Sequence, residues 1–375
     1  MKIVLTGGGT GGHVYPALAI AEALAEEPAV APLEVLFAGT RDRLEAEIVP
    51  KAGIPIAFVR AAPLERRPSL ELVRTAFENL RGVGDAFALV QRFAPDAVIA
   101  TGGYVTFPVV VAARLARLLH RSRAKIVLLE PNATAGLTNR LLEPLVDEKW
   151  VSLPQVAGAQ GRRTIVTGTP VRAAFLKPID ARIARLTLGL EPQRTTVAII
   201  GGSQGAHSLN EAVASLLEAG GAPWQILHLT GSRDFAAMSA REQPAVARGD
   251  ARVINYLADP RVAYAAADLM VVRAGASTLA ELAATATPAI LVPYPHATGD
   301  HQTHNARTYV ALGAARLLRD EELSGERLAR ELHEALAPEA IAAMRRAAHK
   351  LAQGDPRAVI RARVKRWSPA NTAQP

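Results

Sequence analysis

The chain has 375 residues, 49% of them hydrophobic and 21% charged, which excludes whole-chain disorder, collagen and coiled coil. Its length predicts two or three domains, and its 43 Lys and Arg against 35 Asp and Glu leave a net +8 that suits an acidic partner. With no Cys there is no disulfide framework, thiol nucleophile or thiolate metal site, in keeping with a reducing cytosol.

Short β-branched runs alternate with helical patterns, the signature of βαβ units and a parallel sheet. Residues 2–6 read as a buried strand that runs straight into glycines, too short for a signal-peptide core. Residues 16–26 carry Ala17, Leu18, Ile20, Ala21 and Leu24 at helical spacing. Strands follow at 33–38, 97–100, 126–129 and 150–152. The apolar stretch 105–119 is broken by Pro108, Arg114 and Arg117, so no run of about 20 residues can span a bilayer. A second series begins near 165, with strands at 195–200, 225–230, 252–254, 269–272 and 289–292 and a helix from about Ser208. The expectation is α/β: two similar doubly wound domains in tandem, each with a glycine loop after its first strand. Ligands of such sheets bind beyond the carboxyl ends of the strands, so the cleft between the domains is the expected site. The polar residues 368–375 read as a frayed tail.

Four clusters carry chemistry. The first is Gly7-Gly8-Gly9-Thr10-Gly11-Gly12-His13, where free N–H groups at a helix start suit an anion. It admits a dinucleotide-fingerprint reading, but the second strand ends Phe37-Ala38-Gly39-Thr40 without the required acid. No Gly-Lys-Ser/Thr follows, so it is not a P-loop. His13, with an ordinary pKa near 6.5, suits proton transfer, or it bonds the loop backbone. The second cluster, Gly201-Gly202-Ser203-Gln204-Gly205, joins backbone donors to a hydroxyl, which fits a diphosphate or a ligand-free tight turn. The third runs from Arg273 to Glu281, where Gly275 to Thr278 open a helix whose N-terminus can hold a phosphate. Glu281 is expected in its first turn, supporting the helix or accepting two hydrogen bonds from a ribose diol. The fourth holds His296, His301 and His304 within nine residues. A zinc site there lacks clear third and fourth ligands, so no metal is expected, and Gln302 and Asn305 fit sugar hydroxyls or a helix cap.

The segment 60–125 holds eleven Lys and Arg against five Asp and Glu. Arg66, Arg67, Arg74 and Arg81 alternate with Leu70, Leu72, Val73, Phe77 and Leu80, and a second patch spans Arg114 to Lys125. Basic amphipathic helices read as membrane-surface contacts, against the alternative of a solvated face with a buried stripe.

Taken in order, Gly8 to His13, Gly39-Thr40 with Glu45, Thr101 to Tyr104, Glu130 to Asn132, Gly136 to Asn139, Gly168 to Arg172, Gly201 to Gly205, Gly275 to Glu281 and Asp300 to Ala306 resemble the MurG family of glycosyltransferases. The resemblance covers roughly residues 2–320. It departs from the family pattern at Pro131, Thr169 and Thr287. It implies two Rossmann-like domains in the GT-B arrangement, with UDP-N-acetylglucosamine as donor and undecaprenyl-linked lipid I as acceptor. The implied domains are 1–167 for the acceptor and the membrane, 168–350 for the donor, and 351–375 as a C-terminal helix and polar tail. Donor contacts carried over are Ser203, Gln204, Ala276, Ser277, Thr278, Leu279 and Ala280 at the diphosphate side, Glu281 at the ribose and Leu257 at the uracil. Arg172 and Gln302 also touch the donor, and Thr10, Gly11 and Gly12 border donor and acceptor. Tyr104, Asn132 and Glu130 fall to the acceptor, and His13 is the candidate general base. The reaction implied is metal-independent inversion with no cofactor, on the cytoplasmic face of the cell membrane, where the basic patch meets the anionic inner leaflet. Other readings are a different UDP-sugar lipid glycosyltransferase, a UDP-sugar epimerase, or a nucleotide-binding membrane adaptor. Nucleic acid is not expected, because the patch lacks interleaved exposed aromatics.

Overall fold

A computed structural model describes residues 1–63, 70–153, 163–202, 204–220 and 222–367. Two compact units divide the chain: Met1–Ala173 together with the residues from Asp355 onward, and Ala174–Gly354.

The first unit alternates β1 (Lys2–Thr6), α1 (Gly11–Ala25), β2 (Glu34–Gly39), α2 (Glu45–Lys51), β3 (Ile56–Phe58), α3 (Leu70–Phe93), β4 (Ala97–Ala100), α4 (Thr106–Leu118), β5 (Lys125–Glu130), α5 (Leu137–Leu142), β6 (Glu148–Val151) and β7 (Thr164–Val166). All seven strands are parallel, in the order β3-β2-β1-β4-β5-β6-β7. A strand covered on both faces must be apolar throughout, and Ile3, Val4 and Leu5 are fully buried. Their side chains alternate: Ile3 and Leu5 join Val14, Ala17 and Leu18 of α1, while Val4 joins Val109 and Ala113 of α4.

The second unit runs α6 (Ala181–Thr187), β8 (Thr196–Ile200), α7 (His207–Ala219), β9 (Gln225–Leu229), α8 (Phe235–Ala247), β10 (Ala251–Ile254), α9 (Arg261–Ala266), β11 (Leu269–Val272), α10 (Ala276–Thr285), β12 (Ala289–Leu291), α11 (His301–Ala311), β13 (Ala315–Leu317), α12 (Gly325–Leu336) and α13 (Pro338–Ala352). Its parallel order is β10-β9-β8-β11-β12-β13. The last helix, α14 (Pro356–Lys365), returns to the first unit and packs on α1. There the buried Arg357 bonds Glu22 at 3.2 Å and Glu26 at 2.6 Å, and Trp367 stacks on Trp150. Strand order reverses between β1 and β4 and between β8 and β11, which makes the crevice at each reversal the place for a ligand.

The structure corrects three expectations. Helix α1 begins at Gly11, not Pro16, so Gly11, Gly12 and His13 form its first turn. Thr10 stands before it in extended geometry, and first-turn N–H groups need no helical partner, so glycines are tolerated there. Strands β3, β7 and β13 have three residues each and were not expected. Edge strands this short carry too little periodicity to stand out. Glu281 lies beyond the first turn of α10, which starts at Ala276.

Candidate active site

At the first crevice the glycine loop is tied down from two sides. Glu45 of α2 is fully buried, and its carboxylate accepts from Thr40 Oγ1 (2.6 Å), Thr40 N (3.2 Å) and Gly9 N (3.1 Å). Thr101, just past β4, donates its hydroxyl to Thr6 O (3.2 Å) and His13 O (2.7 Å). A Cβ at Gly103 would fall 2.2 Å from Gly8 O, and the residue has φ +88°, so only glycine lets the two loops touch. His13 Nδ1 lies 3.1 Å from Gly8 O and 3.3 Å from Thr10 Oγ1. A carbonyl only accepts, so this contact places the ring proton on Nδ1 and the basic lone pair on Nε2. Tyr104 OH accepts from Arg43 Nε at 3.0 Å, and the Arg172 guanidinium lies over the Tyr15 ring at 4.9 Å.

Glu130, at the end of β5, is buried, and its carboxylate accepts from Asn132 N, Asn132 Nδ2, Gly136 N and Asn139 Nδ2 at 2.7–3.3 Å. Burial raises its pKa against the lowering effect of those donors. Its role is thus to shape the loop that presents Asn132.

At the second crevice Gly205 rests on the end of β9. A Cβ there would fall 2.1 Å from Thr230 O. Asn210 of α7 donates to that carbonyl at 2.9 Å. Arg273, at the end of β11, is nearly buried and donates to Val292 O, Pro293 O, Asp320 and Ser208 Oγ. It therefore ties the end of β11 to the loop after β12, to Asp320 and to the start of α7. Helix α10 follows with no side-chain cap at Gly275, and the buried Ser277 Oγ has no protein partner. Uncapped N–H groups beside an unsatisfied hydroxyl suit an anionic group. Glu281 accepts from the buried Tyr264 hydroxyl at 2.7 Å, and burial, reinforced by that carboxylate, holds the Tyr264 pKa well above its ordinary value. Gln302 Oε1 accepts from Tyr294 N, and Asn305 Nδ2 donates to Ala274 O, which fixes α11 against the start of α10. Leu257 is half-buried in the loop after β10.

Within the first unit Thr10, Gly11, Gly12 and His13 are consecutive at the start of α1 and Tyr104 stands beside Gly9, while within the second Ala276 to Glu281 lie on α10 and Gln302 on α11. Ser203, Arg66 and Arg67 lie outside the described residues. His301 and His304 bond backbone carbonyls through Nδ1, and no metal-holding cluster occurs among the described residues. Sequence reasoning gave no function to Asn210, His228 or Tyr264, since nothing at those positions marks a partner 14 or more residues away.

Part of the apolar stripe of the basic segment stays in the open. Val73, Phe77 and Leu80, one face of α3, are 67%, 52% and 67% exposed, and Leu115, Leu118 and Leu119 are exposed on and after α4. Among the described residues no helix is long and apolar enough to cross a membrane.

Residues 3–149 match the glycosyltransferase family 28 N-terminal domain, and residues 196–358 match the family's C-terminal domain. The UDP-N-acetylglucosamine--N-acetylmuramyl-(pentapeptide) pyrophosphoryl-undecaprenol N-acetylglucosamine transferase of Moorella thermoacetica is 41% identical over 90% of both chains. The protein of the same name from Desulforudis audaxviator is 40% identical over 96% of both. Among solved structures, MurG of Acinetobacter baumannii superposes with a TM-score of 0.76 at 27% identity, covering 97% of this chain and 99% of that one. On this evidence the chain belongs to glycosyltransferase family 28, and within it to the MurG family.

Proposed function

We propose that this protein transfers N-acetylglucosamine from UDP-N-acetylglucosamine to the C4 hydroxyl of the muramoyl sugar of lipid I, giving lipid II. The observation that carries the reading is the end-to-end match to transferases of that name, with both glycine loops kept at their crevices. In the reaction the C4 oxygen attacks the anomeric carbon from the face opposite the diphosphate. The bond from that carbon to the UDP oxygen breaks, configuration inverts, and a β-1,4 link forms. His13 is the general base: with Nδ1 held by Gly8 O, Nε2 takes the hydroxyl proton. UDP leaves with new negative charge on its diphosphate. The second glycine loop and the uncapped start of α10, with Ser277 Oγ, supply donors for that charge. Glu281, held by Tyr264, meets the ribose, Leu257 the uracil, and Gln302 the sugar. Tyr104 and the Asn132 loop hold the acceptor.

The exposed apolar face of α3, with Leu115, Leu118 and Leu119 and their neighbouring arginines, rests on the anionic inner leaflet on the cytoplasmic side. The test is acceptor-dependent UDP release in EDTA, with UDP-N-acetylglucosamine and a short-chain lipid I analogue. Release supports the reading. Donor binding without release under any lipid I analogue sinks it and moves an adaptor role ahead.

A further inference from the structure

A chain of buried polar groups underlies the second glycine loop. His228 of β9 is fully buried, with Nδ1 at 2.8 and 3.0 Å from the two carboxylate oxygens of Glu242 on α8. Its Nε2 lies 3.0 Å from Asn210 Oδ1. The Asn210 amide cannot be turned round, because Nδ2 already donates to Thr230 O and to Asp234 Oδ2, both at 2.9 Å. Oδ1 therefore faces His228, and an amide oxygen only accepts. So Nε2 carries a proton. Nδ1 faces a carboxylate, so that contact also needs a proton.

We infer that His228, Glu242 and Asn210 are positioning residues for the donor diphosphate loop, with His228 bridging the Glu242 carboxyl and the Asn210 amide. The ring's Nε2–H fixes the Asn210 amide, the amide fixes the Thr230 carbonyl, and Gly205 packs on that carbonyl. On the outer side, Asp234 also meets His207 Nδ1 at 3.2 Å, and Arg241 pairs with Glu211 and Glu218 between α7 and α8. Those charges face the network's rim, while His228 itself meets only Glu242 and Asn210 among the described polar groups. The inference rests on the donor binding at the second loop.

The first measurement is ring-nitrogen NMR of the full-length protein with 15N-labelled histidine, assigned by loss of a signal in H228Q. A protonated Nε2 on His228 is expected at neutral pH. An Nε2 without a proton overturns the network. The second is kinetics of two isosteric variants. N210D puts a carboxylate against two acceptors, so its donor KM rises about tenfold while the acceptor KM holds. E242Q offers the ring an amide in place of the carboxyl and keeps Nε2–H on Asn210, so its donor KM rises less than that of N210D. Equal donor KM in N210D and wild type, or equal losses in donor and acceptor KM, removes the positioning role. Failure of the wild type itself to bind UDP-N-acetylglucosamine in titration calorimetry would instead strike the donor assignment on which the inference rests.

Discussion

The two glycine loops look alike in sequence and are braced by different chemistry. The first is gripped by an ionisable side chain from outside its own βα unit: Glu45 spans the end of β2 and Gly9, with Thr101 closing the other side. The second leans on a neutral amide, Asn210, backed by the His228–Glu242 pair. A carboxylate under backbone N–H groups draws those donors inward and away from a ligand. An amide that holds the Thr230 carbonyl takes no N–H from the loop, where Gly205 N bonds Gly202 O. The difference matches the proposed division of labour, with proton transfer and acceptor at the first loop and diphosphate at the second.

This comparison can be broken most sharply at His13. H13A should lower kcat by about 10²–10⁴-fold while leaving UDP-N-acetylglucosamine affinity intact, read by UDP release and calorimetry. Equal loss in donor affinity would merge the two loops' roles. Next in size, G205A places a methyl against Thr230 O and should cost about 3 kcal/mol or more, measured as a fall in the urea midpoint. G53A, also at positive φ but in open space, should cost only about 1 kcal/mol, which separates crowding from backbone strain. E45A strands Gly9 N, Thr40 N and the Thr40 hydroxyl and should cost about 2 kcal/mol, raising the acceptor KM without moving donor affinity.

The smallest effect is a pH slope. Glu130 has a raised folded pKa, so its ionisation opposes folding, and stability falls as pH rises from the ordinary glutamate range through the raised value. E130Q should remove that slope, so its stability relative to wild type climbs with pH and then levels off. Asp85 behaves oppositely: the Arg60 hydrogen bond leads in lowering its pKa, so its contribution is present above the ordinary aspartate range and lost as pH falls below it. A flat difference curve for E130Q would show that the carboxyl ionises in its loop at the same pH as in the unfolded chain.

The sequence by itself determined the class of fold and the position of both crevices with their glycine loops. Fully buried parallel strands must be apolar throughout, and loops that approach a neighbouring backbone must be glycine, so both leave a local mark. The strand at 97–100 and the loop at 201–205 were legible for that reason. The apolar face of α3 was legible as amphipathic, but only packing showed that Val73, Phe77 and Leu80 stay in the open. Tertiary structure alone decided what braces the loops, because Glu45, Thr101, Asn210 and His228 act on partners far along the chain, and a polar residue carries no local sign of the partner it will meet. It also decided that α14 completes the face of the first sheet through Arg357 and Trp367, since an amphipathic helix records that it will be covered but not by what.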